Sequence, residues 1–161
     1  MPEDAEDDAP SFQHASIGEI PSIDVDGAHV RLIAGTGWGE RSPVPGSSPL
    51  VLADIALAGA DVPIDGDHAE LAVLALDGEP TVANQPLARG RLHVLEPSEQ
   101  RVLGCTGRVL VLGGEPLGRR HIWWNFVHSD PARIEDAKLR WTRQEFAVVP
   151  NDHDPYVPLP T

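Results

Sequence analysis

A chain of 161 residues has the length of one domain, and a hydrophobic content of 41% is ordinary for a globular protein. A formal net charge of −13, with no basic stretch to offset it, argues against direct nucleic-acid binding. The single cysteine, Cys105, excludes an internal disulfide, and no apolar run reaches the roughly 18 residues of a membrane span. Because the N-terminus is acidic where a signal peptide would be basic, we expect a cytoplasmic protein.

Residues 1–11 are acidic and poor in apolar side chains, which predicts a disordered tail or a linker remnant. From residue 12 onwards, short apolar stretches alternate with turn signals drawn from 15 glycines and 16 prolines. Asp77-Gly78 is typical of a hairpin turn. Strands this short and frequent indicate a sandwich or barrel. They are predicted over residues 29–34, 50–57, 71–76, 91–95, 100–103 and 108–112.

Two of the predicted strands, 50–57 and 108–112, carry apolar side chains on both faces. A strand of this kind packs against something on each side. One side is the barrel interior, and on the other side we expect a covering segment or a partner.

One helix is predicted near the C-terminus, over residues 131–146. Asp130 suits the N-cap and Pro131 the first turn. Ile134, Ala137 and Trp141 share one face of this helix, so we expect Trp141 to anchor it to the barrel. Residues 147–161 are predicted to form an extended arm.

Three polar residues are weak candidates for a site. His68 and Glu70 lie two positions apart, so both can point to one face of a strand and offer a metal two ligands. A third ligand would be required, and His93 is the nearest candidate, but nothing in the spacing brings it to the others. The alternative is that all three are surface or rim residues. Cys105 has no base near it in sequence, which predicts a buried or idle thiol, and no catalytic residue is predicted.

The stretch 121–128 is the most unusual, because it contains two adjacent tryptophans. In an extended segment, neighbouring side chains point to opposite faces, so one ring should cover a surface or an interface. Two interpretations remain open. The stretch either packs as core under the helix, or it faces a ligand or partner through Trp123, Trp124, Asn125 and His128.

Several stretches together resemble the pirin family. Residues 109–118 resemble a late strand and exit loop of these proteins, and 121–127 with 133–137 resemble the next segment and the final helix. Residues 30–38 with Ser42-Pro43 resemble the first strand of the pirin C-terminal domain, and 8–14 resemble the connector before it. The resemblance spans residues 8–160 and implies a C-terminal domain over 12–161.

Pirins are bicupins, with two β-barrels on one chain. The resemblance therefore implies an all-β, cupin-type double-stranded β-helix (a jelly-roll barrel) with one C-terminal helix. The family's iron lies in the N-terminal barrel, which this chain lacks, and is held there by histidines and a glutamate. Ile64 and Gly66 stand where the paired metal histidines would be. The resemblance thus implies no metal and no cofactor in this chain.

Three functions follow as alternatives. The first is a non-catalytic, metal-free domain that acts by self-association as a homodimer, with an exchanged C-terminal arm, or by pairing with a metal-bearing pirin cupin. The second is half of an iron-dependent, quercetin-dioxygenase-like enzyme. The third is a small-molecule-binding barrel that uses the residues around Trp123. No nucleic-acid or membrane partner is expected.

Overall fold

A computed structural model describes residues 1–65, 68–96, 101–148, 150–151 and 156–160. The chain divides into two compact units, Met1–Pro116 and Leu117–Thr161. Glu3–Ala5 forms a single 3-10 turn within the predicted tail and buries no side chain. No helix among the described residues has the length and hydropathy that a membrane crossing requires.

The first unit is built from antiparallel strands. Within its described residues, one sheet has the order β1-β2-β4-β11-β6-β9, with β3 paired to β2, and a second has the order β5-β10-β7-β8. The arrangement is a cupin-type jelly-roll barrel, as predicted. The strands are β1 Ser22–Val25, β2 Ala28–Gly37, β3 Glu40–Arg41, β4 Leu50–Ala58, β5 Val62–Pro63, β6 Glu70–Gly78, β7 Thr81–Val82, β8 Gln85–Pro86, β9 Leu92–Val94, β10 Val102–Gly104 and β11 Thr106–Gly114.

Each of the six strands predicted from the sequence is present, with ends that differ by at most three residues. Gln100, the first residue of one prediction, lies outside the described residues. The hairpin predicted at Asp77-Gly78 is wrong. Strand β6 runs through both residues, which pair with Arg108 and Gly107 of β11, and the next strand joins the other sheet. Gly78 has a φ of +69°, and a Cβ there would lie 2.5 Å from the Gly107 Cα, so this glycine permits a close approach of two strands.

The barrel interior is filled by aliphatic side chains. Along β4, Val51, Ala53 and Ile55 are buried while Leu52 and Asp54 face outwards, because successive side chains of a strand alternate. Strands β2, β6 and β11 of the large sheet and β5, β7 and β10 of the small sheet contribute the same kind of residue. Those with no exposed surface include Val30, Leu32, Val62, Val73, Val82, Leu103, Val109 and Val111.

The outer face of the large sheet is also partly apolar. Leu112 of β11 lies in register with Leu52 on one side and Ala72 on the other. Val94 of edge strand β9 extends this row and is 63% exposed. The two-sided apolar pattern of the sequence therefore corresponds to one buried and one partly exposed sheet face.

An ion pair also lies on that outer face. Arg108 donates to both carboxylate oxygens of Asp54, at 2.7 and 2.5 Å. These charge-assisted hydrogen bonds hold the pKa of Asp54 below its ordinary value.

The second unit contains a hairpin and a helix. Strands β12 His121–Trp123 and β13 Phe126–His128 pair antiparallel and precede α1 Pro131–Thr142. Asp130 is the N-cap as predicted, and its carboxylate accepts from the Ala132 amide at 2.8 Å. The helix ends four residues before the predicted position 146. Gln144 has a φ of +56°, and this left-handed residue directs the chain out of the helix.

Candidate functional site

An aromatic cluster holds the second unit together. Trp141 of α1 lies at its centre, with ring centroids 5.2 Å from Trp124 and 6.3 Å from Phe126 of the hairpin. Phe146 and Tyr156 complete its contacts at 5.7 and 6.1 Å. Trp123 joins through Trp124 and Phe126. The cluster is made of Trp123, Trp124, Phe126, Trp141, Phe146 and Tyr156, and it joins the helix to the hairpin of the same unit.

The expectation that the two adjacent tryptophans face opposite ways is wrong. Trp123 ends β12, but Trp124 is the first residue of the two-residue turn to β13 and has a φ of +52°. The alternation of side chains applies to extended backbone only. The turn brings both rings into the cluster, with centroids 6.4 Å apart.

The other two candidates of this stretch have different environments. Asn125 is the exposed second residue of the turn. His128 accepts a hydrogen bond on Nδ1 from the Asp130 amide at 2.9 Å, so it helps to position the start of the helix. Lys138 Nζ lies 4.3 Å from the centroid of the Trp123 ring, at cation–π distance. A ligand-facing or partner-facing role for these residues stays a prediction.

The C-terminal arm lies on its own helix. The Trp141 indole N–H donates to the Val157 carbonyl at 2.8 Å, next to the contact with Tyr156. Residues 152–155 fall outside the described part of the chain. The arm therefore has partners in its own unit, and the predicted anchoring of Trp141 to the barrel stays a prediction.

A polar cleft of about 530 Å3 lies at one end of the barrel, where β2 and β11 end and β4 and β6 begin. His68 lines it and is only 7% exposed. Two carboxylates of the cleft accept hydrogen bonds from backbone amides. Asp65 accepts from Trp38, and Glu115 accepts from Ala69 at 3.3 Å. Glu40 and Arg41 also line the cleft, so it carries side chains of both charges.

The other two polar candidates do not join His68. Glu70 is the exposed first residue of β6, and His93 lies on edge strand β9 opposite Val73. Among the described residues, no three or more His, Cys, Asp or Glu side chains form a group that could hold a metal ion. Cys105 is exposed in the turn between β10 and β11, with its Sγ 3.9 Å from the Thr81 hydroxyl, so the alternative of a buried thiol is wrong.

Comparison with known proteins decides the family. Residues 52–147 match the family described as the pirin C-terminal cupin domain. The chain belongs to the pirin family. A pirin-like protein of Caulobacter vibrioides is 35% identical over 164 residues, which cover 99% of this chain and 57% of that relative. The chain spans about half the length of the curated pirin relatives it matches.

Solved structures share the fold of this chain. A quercetin 2,3-dioxygenase from Acinetobacter baumannii has a TM-score of 0.87 and 25% identity, covering 100% of this chain and 56% of that one. A second quercetin 2,3-dioxygenase structure from the same organism has a TM-score of 0.82 and 24% identity, over 91% of this chain and 54% of the other. The resemblance seen in the sequence is therefore confirmed, together with the cupin fold.

At one position where the resemblance places a metal histidine, this pirin domain carries no metal ligand. Ile64, at that position, is 6% exposed and packs in the aliphatic core. The other position, Gly66, lies outside the described residues. Iron requires nitrogen or oxygen ligands, which an isoleucine side chain lacks.

Proposed function

We propose that this pirin domain is metal-free, lacks oxygenase chemistry of its own, and acts by packing against a second cupin barrel. The observation that carries the proposal is the aliphatic filling of the barrel, with Leu32, Ile55 and Val111 fully buried in its interior. A core of this kind stabilises the fold and offers a substrate no polar contact.

The outer face of the large sheet supports association. Leu92 and Val94, on the edge strand β9, are 54% and 63% exposed, and they lie in register with Leu74 and Ala72 of β6. Apolar side chains that form a continuous exposed surface usually mark an interface. An edge strand that exposes apolar side chains also invites pairing with another chain.

Two partners fit the proposal: a second copy of this chain, or a metal-bearing pirin cupin. A second copy related by a two-fold axis would cover two identical surfaces at once, so we favour a homodimer. The arm is not required for this dimer, because Tyr156 and Val157 already contact Trp141 of their own chain. We also propose the cytoplasm as its location, a compartment that the single cysteine favours.

Light scattering across a dilution series in the micromolar range tests the homodimer. We expect a dimer mass that falls to the monomer mass in a Leu92→Asp, Val94→Asp double variant, because buried carboxylates oppose the apolar contact. The matched control is Phe12→Asp, which changes an apolar residue that is 93% exposed outside the sheet. A monomer mass for the parent at every concentration contradicts self-association. Loss of the dimer on deleting residues 151–161 would instead favour the exchanged arm.

A second function is half of an iron-dependent, quercetin-dioxygenase-like enzyme. The similarity to the quercetin 2,3-dioxygenase from Acinetobacter baumannii, of which this chain covers 56%, favours it. The test measures quercetin oxidation with ferrous iron for this chain alone and for this chain with the separately expressed N-terminal part of the Caulobacter relative. We expect no turnover by the chain alone. Turnover that appears only in the mixture and disappears with a chelator would support the half-enzyme.

A further inference from the structure

A hydrogen-bonded Ser-His-Asp network lies on the first hairpin of the barrel, away from the polar cleft. Ser22 Oγ is 2.9 Å from His29 Nε2, and His29 Nδ1 is 2.9 Å from Asp24 Oδ1. The two imidazole nitrogens therefore have different partners. In the tautomer that carries its proton on Nδ1, His29 donates to Asp24 and accepts from the Ser22 hydroxyl. This is the arrangement that converts a serine into a nucleophile.

The sequence creates this network through the hairpin register. Asp26-Gly27 forms the two-residue turn between β1 and β2, and both residues have positive φ, 44° and 84°. Turns of this kind match the twist of the paired strands and fix their register. Asp24 then lies opposite His29, and Ser22, two residues earlier, lies on the same face. Ser22 and Asp24 precede the Asp-Gly turn at alternating positions and His29 follows it, a sequence pattern from which the network could have been predicted.

We propose that Ser22, His29 and Asp24 form a metal-free hydrolytic site for small esters. The Ser22 Oγ attacks the ester carbonyl carbon while His29 Nε2 takes the hydroxyl proton. The bond to the leaving alcohol then breaks, and His29 returns the proton to that alcohol, which leaves an acyl group on Ser22. A water molecule activated by His29 releases the acid and restores the serine. Asp24 orients the imidazole through its hydrogen bond with Nδ1.

The hairpin register places one cationic residue, Arg31, across from Ser22. Arg31 therefore shares one face of the hairpin with Ser22. Within the described part of the chain, its guanidinium makes no hydrogen bond, although its charge contributes to lowering the pKa of Asp54. A guanidinium beside the nucleophile can stabilise the negative oxygen that forms during attack.

A shallow groove lies beside two members of the network, although Ser22 itself does not line it. Asp24 and His29 line it together with Val25, Ala56 and Ala58, and its volume is about 480 Å3. Its alanines and valine suit a short acyl or alkyl chain. The network is open to water, with Asp24 92% exposed and His29 49% exposed. Water is therefore available for deacylation, and we expect modest rates on activated esters.

The experiment measures hydrolysis of 4-nitrophenyl acetate and 4-nitrophenyl butyrate by the full chain and by single variants. Ser22→Ala and His29→Gln should each lower the protein-dependent rate about 100-fold, the lower end for loss of a positioned base. Asp24→Asn and Arg31→Gln should lower it less. Ser16→Ala is the matched control, because the Ser16 hydroxyl donates to the Glu19 carboxylate at 2.7 Å and takes no part in the network, so the rate should stay unchanged.

Labelling of the unmodified protein makes the test independent of variant folding. A fluorophosphonate probe should modify Ser22, located by peptide mass spectrometry, and not Ser16. Modification elsewhere, or a Ser22→Ala rate equal to that of the parent, overturns the proposal, since free imidazoles also hydrolyse activated esters. The outcome is independent of the proposed association, which is tested through Leu92 and Val94 on another strand.

Discussion

Replacing Trp141 with alanine should destabilise the C-terminal unit strongly. The side chain contacts four other rings with centroids between 5.2 and 6.3 Å, and its N–H donates to the Val157 carbonyl at 2.8 Å. Truncation of a buried aromatic residue typically costs about 3–5 kcal/mol. Because Trp141 is partly rather than fully buried, we expect the free energy of unfolding to fall by about 3 kcal/mol, the lower end of that range.

Urea unfolding followed by circular dichroism measures this loss. With a dependence on urea of about 2 kcal/mol per molar, the midpoint should fall by about 1.5 M. Trp141→Phe keeps a ring but removes the hydrogen bond to Val157, so it should cost about 1 kcal/mol beyond any change in packing. Leu139→Ala, at a helix residue that is 56% exposed, is the control and should change stability by about 0.5 kcal/mol or less.

The refuting result is a Trp141→Ala midpoint equal to that of the parent or of Leu139→Ala. It would mean that the ring contacts do not hold the helix in place. A midpoint shift with Trp141→Phe as large as with Trp141→Ala would assign the loss to the hydrogen bond instead of to the rings.

Three further predictions concern the barrel. Because Arg108 lowers the pKa of Asp54 in the folded state, the ion pair stabilises the fold fully at neutral pH, and this stabilisation is lost as the pH falls through that pKa. Asp54→Asn should therefore flatten the acid side of a curve of stability against pH, and an unchanged slope would contradict this. In thermal unfolding, Gly78→Ala should lower stability by at least about 1 kcal/mol more than Gly90→Ala. Both glycines have φ near +70°, but a Cβ would lie 2.5 Å from a backbone atom only at Gly78, so equal losses of stability would refute the close approach. Elemental analysis should find no stoichiometric transition metal, whereas one iron or zinc per chain that disappears in His68→Ala would reverse the metal-free proposal.

Local signals in the sequence are sufficient to locate much of the barrel. Short apolar stretches between turn signals locate six strands, and Asp130-Pro131 locates the start of the helix, because turn signals and helix capping depend on residues close in sequence. The stretch 109–118 and its neighbours are sufficient to indicate the pirin family, as the match over residues 52–147 confirms. The end of the helix is not predictable in this way, since Gln144 adopts a left-handed backbone that its residue type does not require.

The sequence by itself therefore determined the fold class, the family and the aliphatic character at Ile64, all of which follow from residue types and their order. Only the tertiary structure decided which side chains meet. It placed Trp123 and Trp124 in one aromatic cluster, because a turn cancelled the alternation expected of a strand. It also brought His29 between Ser22 and Asp24 through the register of the first hairpin. Contacts of this kind depend on how strands pair and turn in three dimensions, and a residue pattern constrains that pairing without specifying it.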